Sequence, residues 1–120
     1  MSILDMFSLK SKVSLITGGN RGIGYAIAKA FAEAGSDIAI MVRNEQRGEK
    51  ACEELSLLGT TCRYFLGDVE YQADCVRVAE EVVSEFGKLD VLVNNVGDRI
   101  SAPAIDMTAE QFLKVININL

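Results

Sequence analysis

A chain of 120 residues is long enough for one domain around a single hydrophobic core. Its composition, 49% hydrophobic and 24% charged, is that of a soluble globular protein, and its net charge of −5 predicts no basic surface for nucleic acid or anionic lipid. Histidine is absent, which excludes Ser-His-Asp catalysis, a histidine-ligated metal and imidazole acid–base chemistry within these residues.

The amino-terminal segment and the cysteines favour a cytoplasmic protein with no membrane partner. Asp5 interrupts the first apolar run, and no stretch approaches the roughly 18 apolar residues of a membrane span. The three cysteines, Cys52, Cys62 and Cys75, are odd in number and lack C-x-x-C spacing. We therefore expect reduced thiols, without a disulfide framework or a metal site.

Strands and helices are expected to alternate along the chain. Four short apolar runs predict strands, and their near-continuous apolar character suits a parallel sheet that is buried on both faces. These runs are KVSLIT (12–17), DIAIMV (37–42), CRYFLG (62–67) and LDVLVN (89–94). The β-α-β-α-β-α-β-α order predicts an α/β fold with a doubly wound sheet.

Apolar residues at helical spacing predict the intervening helices. The first helix ends at Gly35, the second covers about 45–58, and the third covers about 71–86. A fourth helix opens at Thr108, which has capping-box spacing with Gln111. The expected inward-facing residues are Ile23, Ala26, Ile27, Ala30, Phe31 and Ala34 in the first helix, Ala51, Leu55 and Leu58 in the second, Val76, Ala79, Val83 and Phe86 in the third, and Phe112, Val115 and Ile116 in the fourth.

A glycine-rich segment joins the first strand to the first helix. Gly18, Gly22 and Gly24 would permit a tight turn and a close approach of the backbone to a pyrophosphate at the helix N-terminus. The spacing is G-x-x-x-G-x-G rather than the common Rossmann G-x-G-x-x-G, so a plain structural turn is the alternative. The position between a buried strand and an amphipathic helix favours the nucleotide loop.

Three motifs together resemble the short-chain dehydrogenase/reductase family, and the resemblance covers the whole chain from about Lys10. The motifs are TGxxxGIG at 17–24, Asp68-Val69 after the third strand, and Asn94-Asn95-Val96-Gly97 after the fourth strand. The resemblance implies the amino-terminal half of a Rossmann-type sheet, with strand order 3-2-1-4.

The resemblance also implies a nicotinamide dinucleotide site. The Asp68 carboxylate would accept a hydrogen bond from the adenine amino group, with Val69 beside it; a helix cap or turn is the alternative for Asp68 alone. Asn94, Asn95, Val96 and Gly97 would lie along the cofactor, with Val96 in place of the family's usual alanine. The loop residues implied to hold the pyrophosphate are Thr17, Gly18, Asn20, Arg21, Gly22, Ile23 and Gly24.

The end of the second strand bears on the choice of cofactor. NAD-specific relatives place an Asp there to accept from the ribose hydroxyls, and the corresponding position here is Val42, followed by Arg43. Two guanidinium groups, of Arg21 and Arg43, without a carboxylate suit a 2′-phosphate and predict NADP(H). The alternative is that both arginines are solvated surface residues.

Two further candidates concern catalysis. Tyr25-x-x-x-Lys29 has the spacing of the family's catalytic pair, but that pair belongs to a later helix, so we predict two bystanders on a solvent-facing edge.

The terminal INL resembles the family's V-N-L segment and maps its catalytic asparagine, which holds a water in the proton relay, to Asn119. Asn119 is expected on the buried stripe with Phe112, where its amide must find partners. A helix-end asparagine with no role is the alternative.

The resemblance implies an NADP(H)-dependent oxidoreductase acting on a small-molecule carbonyl or alcohol of polyol, sugar or ketoacyl type. Residues 1–120 would form its dinucleotide-binding domain and end before the catalytic Ser and Tyr-x-x-x-Lys, so alone they are expected to be inactive and to self-associate. Asp98, Arg99 and Ile100 are expected at the substrate mouth, with a plain loop as the alternative. We expect a homo-oligomer, a dimer or tetramer. The rival function is a nucleotide-binding sensor without catalysis.

Overall fold

The computed structural model of the chain describes residues 2–120, so Met1 of the expected domain lies outside the described residues. Four strands form one parallel sheet: β1 (Val13–Thr17), β2 (Asp37–Val42), β3 (Cys62–Leu66) and β4 (Val91–Val93). Their order across the sheet is β3-β2-β1-β4, which confirms the predicted α/β arrangement.

Four helices connect and follow the strands: α1 (Gly22–Glu33), α2 (Glu45–Ser56), α3 (Gln72–Phe86) and α4 (Ala109–Asn119). Short 3-10 turns cover Asp5–Phe7 and Ala104–Asp106. The capping box predicted for the fourth helix is present. The Thr108 hydroxyl accepts from the Gln111 backbone N–H at 3.1 Å, and the Gln111 side chain accepts from the Thr108 N–H at 3.0 Å.

The core consists of two layers, one on each face of the sheet. Because successive strand residues point to opposite faces, Ile16, Ile38 and Ile40 pack with α1 and α2, whereas Leu15 and Met41 pack with α3. All five residues of β1 are buried. The strand that leads into the glycine loop is therefore held on both faces.

The predicted inward stripe of the first helix is confirmed only in part, since Ile27 and Phe31 pack against the core. α1 buries Gly24, Ala28 and Ala32 against the core, whereas Ile23 is 75% exposed. The reason is close packing, since a Cβ on Gly24 would lie 2.4 Å from the Gly18 carbonyl oxygen. Hydrophobic periodicity reflects the large apolar residues and does not register glycine. The exposed members of the predicted stripe are Ile23, Ala26 and Ala30.

The predicted inward stripe of the third helix is likewise confirmed only in part, since Phe86 packs against the core. α3 buries Val78 and Val82, while Val76 and Val83 are 51% and 46% exposed. Apolar residues occupy two neighbouring faces of this helix, and only one of them contacts the sheet. The sequence pattern could not select between the two faces, because the selection is made by Phe65 and the other strand residues that receive the helix.

Two predicted core positions near helix ends are exposed. Leu58 follows the end of α2, in a turn, and leaves Leu55 to complete the buried face of that helix. Phe112, in the first turn of α4, is 55% exposed, and no residue of α4 is buried. The β4 and α4 end of the described chain therefore contributes little to the core.

Candidate functional site

A cleft of about 520 Å³ opens at the carboxyl ends of the strands. Loops that follow parallel strands meet at this edge, where open α/β sheets bind ligands. The predicted site residues that line the cleft are Gly18, Asn20, Arg21, Gly22, Ile23, Arg43, Asp68, Val69, Asn95, Val96 and Gly97. The predicted residues outside its lining are Thr17, Gly24, Asn94 and Asn119. Lining residues that sequence reasoning missed are Met41, Asn44, Arg47, Gly67 and Ile118.

The glycine loop is shaped to bring backbone close to a ligand. Gly18 and Gly22 have φ angles of 66° and 59°, the left-handed region that favours glycine. The N-cap of α1, Arg21, makes no side-chain hydrogen bond to the helix, so no described side chain caps the first turn. Free N–H groups and the positive end of the helix dipole at this point suit an anion such as a pyrophosphate.

Two glycines of the loop are also required for close packing. A Cβ on Gly24 would lie 2.5 Å from the Asn95 amide nitrogen, as well as against Gly18. A Cβ on Gly19 would lie 2.4 Å from Ile40 Cγ2, so the loop also rests directly on β2. Sequence reasoning missed the role of Gly19, although its place beside Gly18, two residues after the end of β1, was the available signal. The loop is thus fixed by close contacts on both sides.

Thr17 and Asn95 join the glycine loop to the segment after β4. The buried Thr17 hydroxyl accepts from the backbone N–H groups of Asn95 and Val96 at 3.0 and 3.2 Å. The Asn95 side-chain amide donates to the carbonyl oxygens of Thr17 and Gly18 at 3.0 and 3.4 Å. Thr17 therefore positions the two walls of the cleft relative to each other. Asn94, which precedes Asn95 in the motif, is exposed and makes no hydrogen bond to the glycine loop.

The cleft is basic where it meets α2. Arg21, Arg43 and Arg47 all line it, and Arg21 and Arg47 also line a neighbouring pocket of about 270 Å³ together with Lys50. The side chain of Asn44 caps α2 by accepting from the Arg47 N–H at 2.9 Å, which fixes the first helical turn beside the cleft. An N-cap Asn just after a strand was the signal that could have located Arg47.

Asp68 lines the cleft from the loop after β3. Its Oδ1 accepts from the Glu70 N–H at 2.9 Å, so the turn alternative describes one of its two carboxylate oxygens. Its own N–H donates to Asp74 Oδ2 at 2.9 Å, and this bond holds the pKa of the Asp74 carboxyl below its ordinary value. These two hydrogen bonds fix the loop after β3 and leave Asp68 in the lining of the cleft.

The predicted burial of Asn119 is wrong, although its amide is paired. Asn119 is exposed, since it is the last residue of a helix that buries nothing. Its Oδ1 accepts from the Asp98 N–H at 3.0 Å, and its Nδ2 donates to the Asp98 carbonyl at 2.8 Å. Asn119 thus holds the loop after β4. Of the residues predicted at the substrate mouth, Asp98 lines the cleft and Arg99 and Ile100 do not.

Tyr25 is not on a free solvent-facing edge, which corrects the sequence prediction. Its ring is half-buried against the core, and its hydroxyl donates to Glu54 Oε2 of α2 at 2.8 Å. Burial and this hydrogen bond raise the pKa of Tyr25, so its hydroxyl is protonated at neutral pH. Lys29 is exposed. Neither residue lines the cleft, and Tyr25 lies instead in the smaller pocket beside Arg47.

The sequence profile of the short chain dehydrogenase family matches residues 12–120. The chain therefore belongs to the short-chain dehydrogenase/reductase family, as its three motifs indicated. The strand order β3-β2-β1-β4 and the glycine loop after β1 are those expected of an oxidoreductase of this family.

Individual proteins agree with this assignment. The chain is 37% identical over 120 residues to the NADP-dependent mannitol dehydrogenase of Alternaria alternata, covering 97% of this chain and 45% of that protein. The NADPH-dependent 3-quinuclidinone reductase of Rhodotorula rubra superposes with a TM-score of 0.93 at 36% identity, covering 99% of this chain and 46% of that one. An NAD⁺-bound xylitol dehydrogenase superposes with a TM-score of 0.87 at 34% identity, covering 93% and 44%.

The chain spans less than half the length of these three proteins. Within residues 2–120, no helix is both long and apolar enough to cross a membrane. The same residues contain no cluster of three or more Cys, Asp or Glu side chains that could hold a metal ion.

Proposed function

We propose that the protein containing this chain is an NADP(H)-dependent oxidoreductase. It transfers a hydride between the nicotinamide and a small carbonyl or secondary alcohol compound. The observation that carries the proposal is the union, in one cleft, of an uncapped helix N-terminus behind a glycine loop with three arginines. The helix N-terminus and its loop suit a pyrophosphate, and the three arginines suit an additional phosphate.

The described residues divide naturally among the parts of such a cofactor. Backbone N–H groups from Gly18 to Gly24 would hold the pyrophosphate, and the free oxygen of Asp68 would accept from the adenine amino group, beside Val69. Asn95, Val96 and Gly97 would lie along the remainder, at the wall that Thr17 fixes. The bound cofactor supplies or accepts the hydride at its nicotinamide ring.

Charge supports the preference for NADP(H) over NAD(H). Val42 is 2% exposed at the end of β2, where a carboxylate would be needed to accept from the ribose hydroxyls. Arg43 follows it, and Arg21 and Arg47 face the same space. A dianionic 2′-phosphate gains charge-assisted hydrogen bonds from such a group, whereas a ribose hydroxyl does not need three cations.

The catalytic part of the proposal assigns this chain a supporting role. Asn119 would orient the loop at Asp98 and hold a water for proton relay. The lining of the cleft includes no Tyr or Ser hydroxyl within residues 2–120. The proton donor to the developing alkoxide would therefore come from the family's Tyr-x-x-x-Lys pair elsewhere in the protein, since Tyr25 faces Glu54. The cytoplasmic location remains a prediction.

The proposed substrates are polyols or sugars, with ketoacyl compounds as the alternative. A mannitol dehydrogenase and a xylitol dehydrogenase stand among the similar proteins, and Asp98 at the cleft offers a carboxylate to sugar hydroxyls.

A homo-oligomer is proposed as well. The half-exposed apolar side chains of β4 and α4 favour association, among them Leu92, Phe112 and Leu113.

A steady-state assay of the whole protein separates this function from the sensor alternative. NADPH oxidation is followed by absorbance with a panel of ketoses, polyols in the reverse direction, and ketoacyl thioesters. The proposal predicts turnover with at least one ketose and a lower KM for NADPH than for NADH. Tight NADPH binding without turnover on any of the three classes would instead establish the sensor function.

A further inference from the structure

Two thiols meet in the core layer beneath α2. Cys52 of α2 and Cys62 at the start of β3 lie with their sulfur atoms 3.1 Å apart. A disulfide bond is about 2.05 Å long, so the sulfurs would need to approach by roughly 1 Å to be bonded. Both residues are buried, at 8% and 2% exposed. The third cysteine, Cys75, packs in the opposite layer, with its thiol directed at the Val69 carbonyl.

We propose that Cys52 and Cys62 form a redox-active pair, a modification site that a peroxide oxidises to an intramolecular disulfide between α2 and β3. Cys52 lies one turn before the end of α2 and Cys62 is the first residue of β3, so a bond between them would link the helix to the strand that follows it. The sequence prediction of reduced cysteines, made from their odd number and the lack of C-x-x-C spacing, did not anticipate this pairing.

The environment assigns different roles to the two thiols. The Cys62 S–H donates to Cys52, and this hydrogen bond lowers the pKa of Cys52, with a smaller contribution from the positive charge of Arg63. The same bond and burial raise the pKa of Cys62. Cys52 is also the more exposed of the two. It is therefore the attacking sulfur, and Cys62 is the resolving one.

The oxidation balances with hydrogen peroxide as the co-reactant. The Cys52 thiolate attacks one peroxide oxygen, the O–O bond breaks, and a sulfenic acid and hydroxide form. The Cys62 sulfur then attacks the Cys52 sulfur and displaces hydroxide as the S–S bond forms. The two thiols together lose two electrons and two protons, and the peroxide is reduced to two molecules of water.

Peptide mapping of the whole protein tests the proposal directly. Trypsin cleaves after Lys50, Arg63 and Arg77, so peptide 51–63 carries both members of the pair and peptide 64–77 carries only Cys75. The protein is exposed to hydrogen peroxide, quenched with catalase, alkylated with iodoacetamide and digested. Peptide 51–63 should lose the mass of two hydrogen atoms and take no alkyl group, and a reductant should restore two alkylation sites.

Cys75 supplies the internal control. Peptide 64–77 should remain singly alkylated, and Cys75→Ser should leave the disulfide yield unchanged. In Cys62→Ser, Cys52 has no resolving partner and should advance to sulfinic and sulfonic acids. The proposal is overturned if peptide 51–63 of the unaltered protein remains doubly alkylated when Cys75 is oxidised. It is also overturned if that peptide accumulates sulfinic and sulfonic acids as Cys62→Ser does.

Discussion

The two ends of the sheet are built differently, although both contribute walls to the same cleft. β1 is buried along its whole length, and five of the six residues of β2 are buried between α1, α2 and α3. β4 has no buried residue, and neither has α4. The glycine loop thus rests on a core of its own, whereas the wall from Asn95 to Asp98 depends on a few hydrogen bonds.

Those hydrogen bonds are few enough to name. Thr17 and Asn95 tie the carboxyl end of β4 to β1, and the Asp90 carboxylate accepts from the Val13 N–H at 2.8 Å at the other end of the strand. Asn119 then holds Asp98. One wall is therefore positioned by apolar packing and the other by polar links. Substitutions should therefore act differently on the two walls.

Shortening a core side chain under the glycine loop should have the largest effect. Ile40 is fully buried and contacts the loop at Gly19, so Ile40→Ala should lower the free energy of unfolding by about 2–5 kcal/mol. Leu92→Ala is the control on β4, where the side chain is 53% exposed and the loss should be below about 1 kcal/mol. Urea unfolding of both variants measures the difference. Equal losses would remove the distinction between the two ends of the sheet.

Removing the Thr17 hydroxyl should have the next largest effect. Thr17→Val leaves the N–H groups of Asn95 and Val96 without an acceptor, which should cost about 1–3 kcal/mol of unfolding free energy and weaken NADPH binding. Thr60→Val is the matched control. The Thr60 hydroxyl is buried and has no hydrogen-bond partner among residues 2–120, so its removal should be neutral or stabilising. A Thr17→Val protein as stable as Thr60→Val would contradict the proposed tie between the walls.

Tyr25→Phe should have a smaller effect, confined to stability. It removes the hydroxyl that links α1 to Glu54 of α2, at an expected cost of about 0.5–1.5 kcal/mol. Tyr71→Phe is the control, because Tyr71 is 59% exposed and its hydroxyl makes no hydrogen bond in the described residues. Turnover should be unchanged in both variants. A hundredfold fall in kcat for Tyr25→Phe would place the catalytic tyrosine on α1.

The smallest effect concerns acid stability at the start of β4. The hydrogen bond from the Val13 N–H, aided by Lys88, holds the pKa of Asp90 below its ordinary value of 3.8. A lowered folded-state pKa means that Asp90 contributes stability above its unfolded pKa and loses it as the pH falls through the folded pKa. Asp90→Asn should therefore flatten the stability profile below about pH 4. Chemical unfolding at pH 3 and pH 6 measures this, and an unchanged profile would contradict it.

The strands and the glycine loop could be predicted because their determinants are local, whereas the strand order was implied by the resemblance to a family. Apolar runs of strand length and glycines directly after Thr17 are written in consecutive residues, and the resemblance to a family added the cleft residues after β3 and β4. The capping box at Thr108 was predictable for the same reason. Such features require no knowledge of which faces pack together.

The remaining features depend on contacts between residues far apart in the sequence. Tyr25 meets Glu54 only because α1 and α2 share one face of the sheet, and Cys52 meets Cys62 only across that layer. The phase of α1 was set by Gly24 packing on Gly18, which hydrophobic periodicity does not register. The exposure of Asn119 follows from the few contacts of α4 with the core.

Cofactor discrimination tests the central claim most directly. Dissociation constants of NADPH and NADH are measured by fluorescence titration for the whole protein, for Arg43→Ala, and for Arg99→Ala as a control outside the cleft. Arg43→Ala should weaken NADPH binding by about 1.5–3 kcal/mol, roughly 10- to 150-fold, and leave NADH binding and the control nearly unchanged. Equal losses for the two cofactors, or tighter binding of NADH by the unaltered protein, would contradict the account.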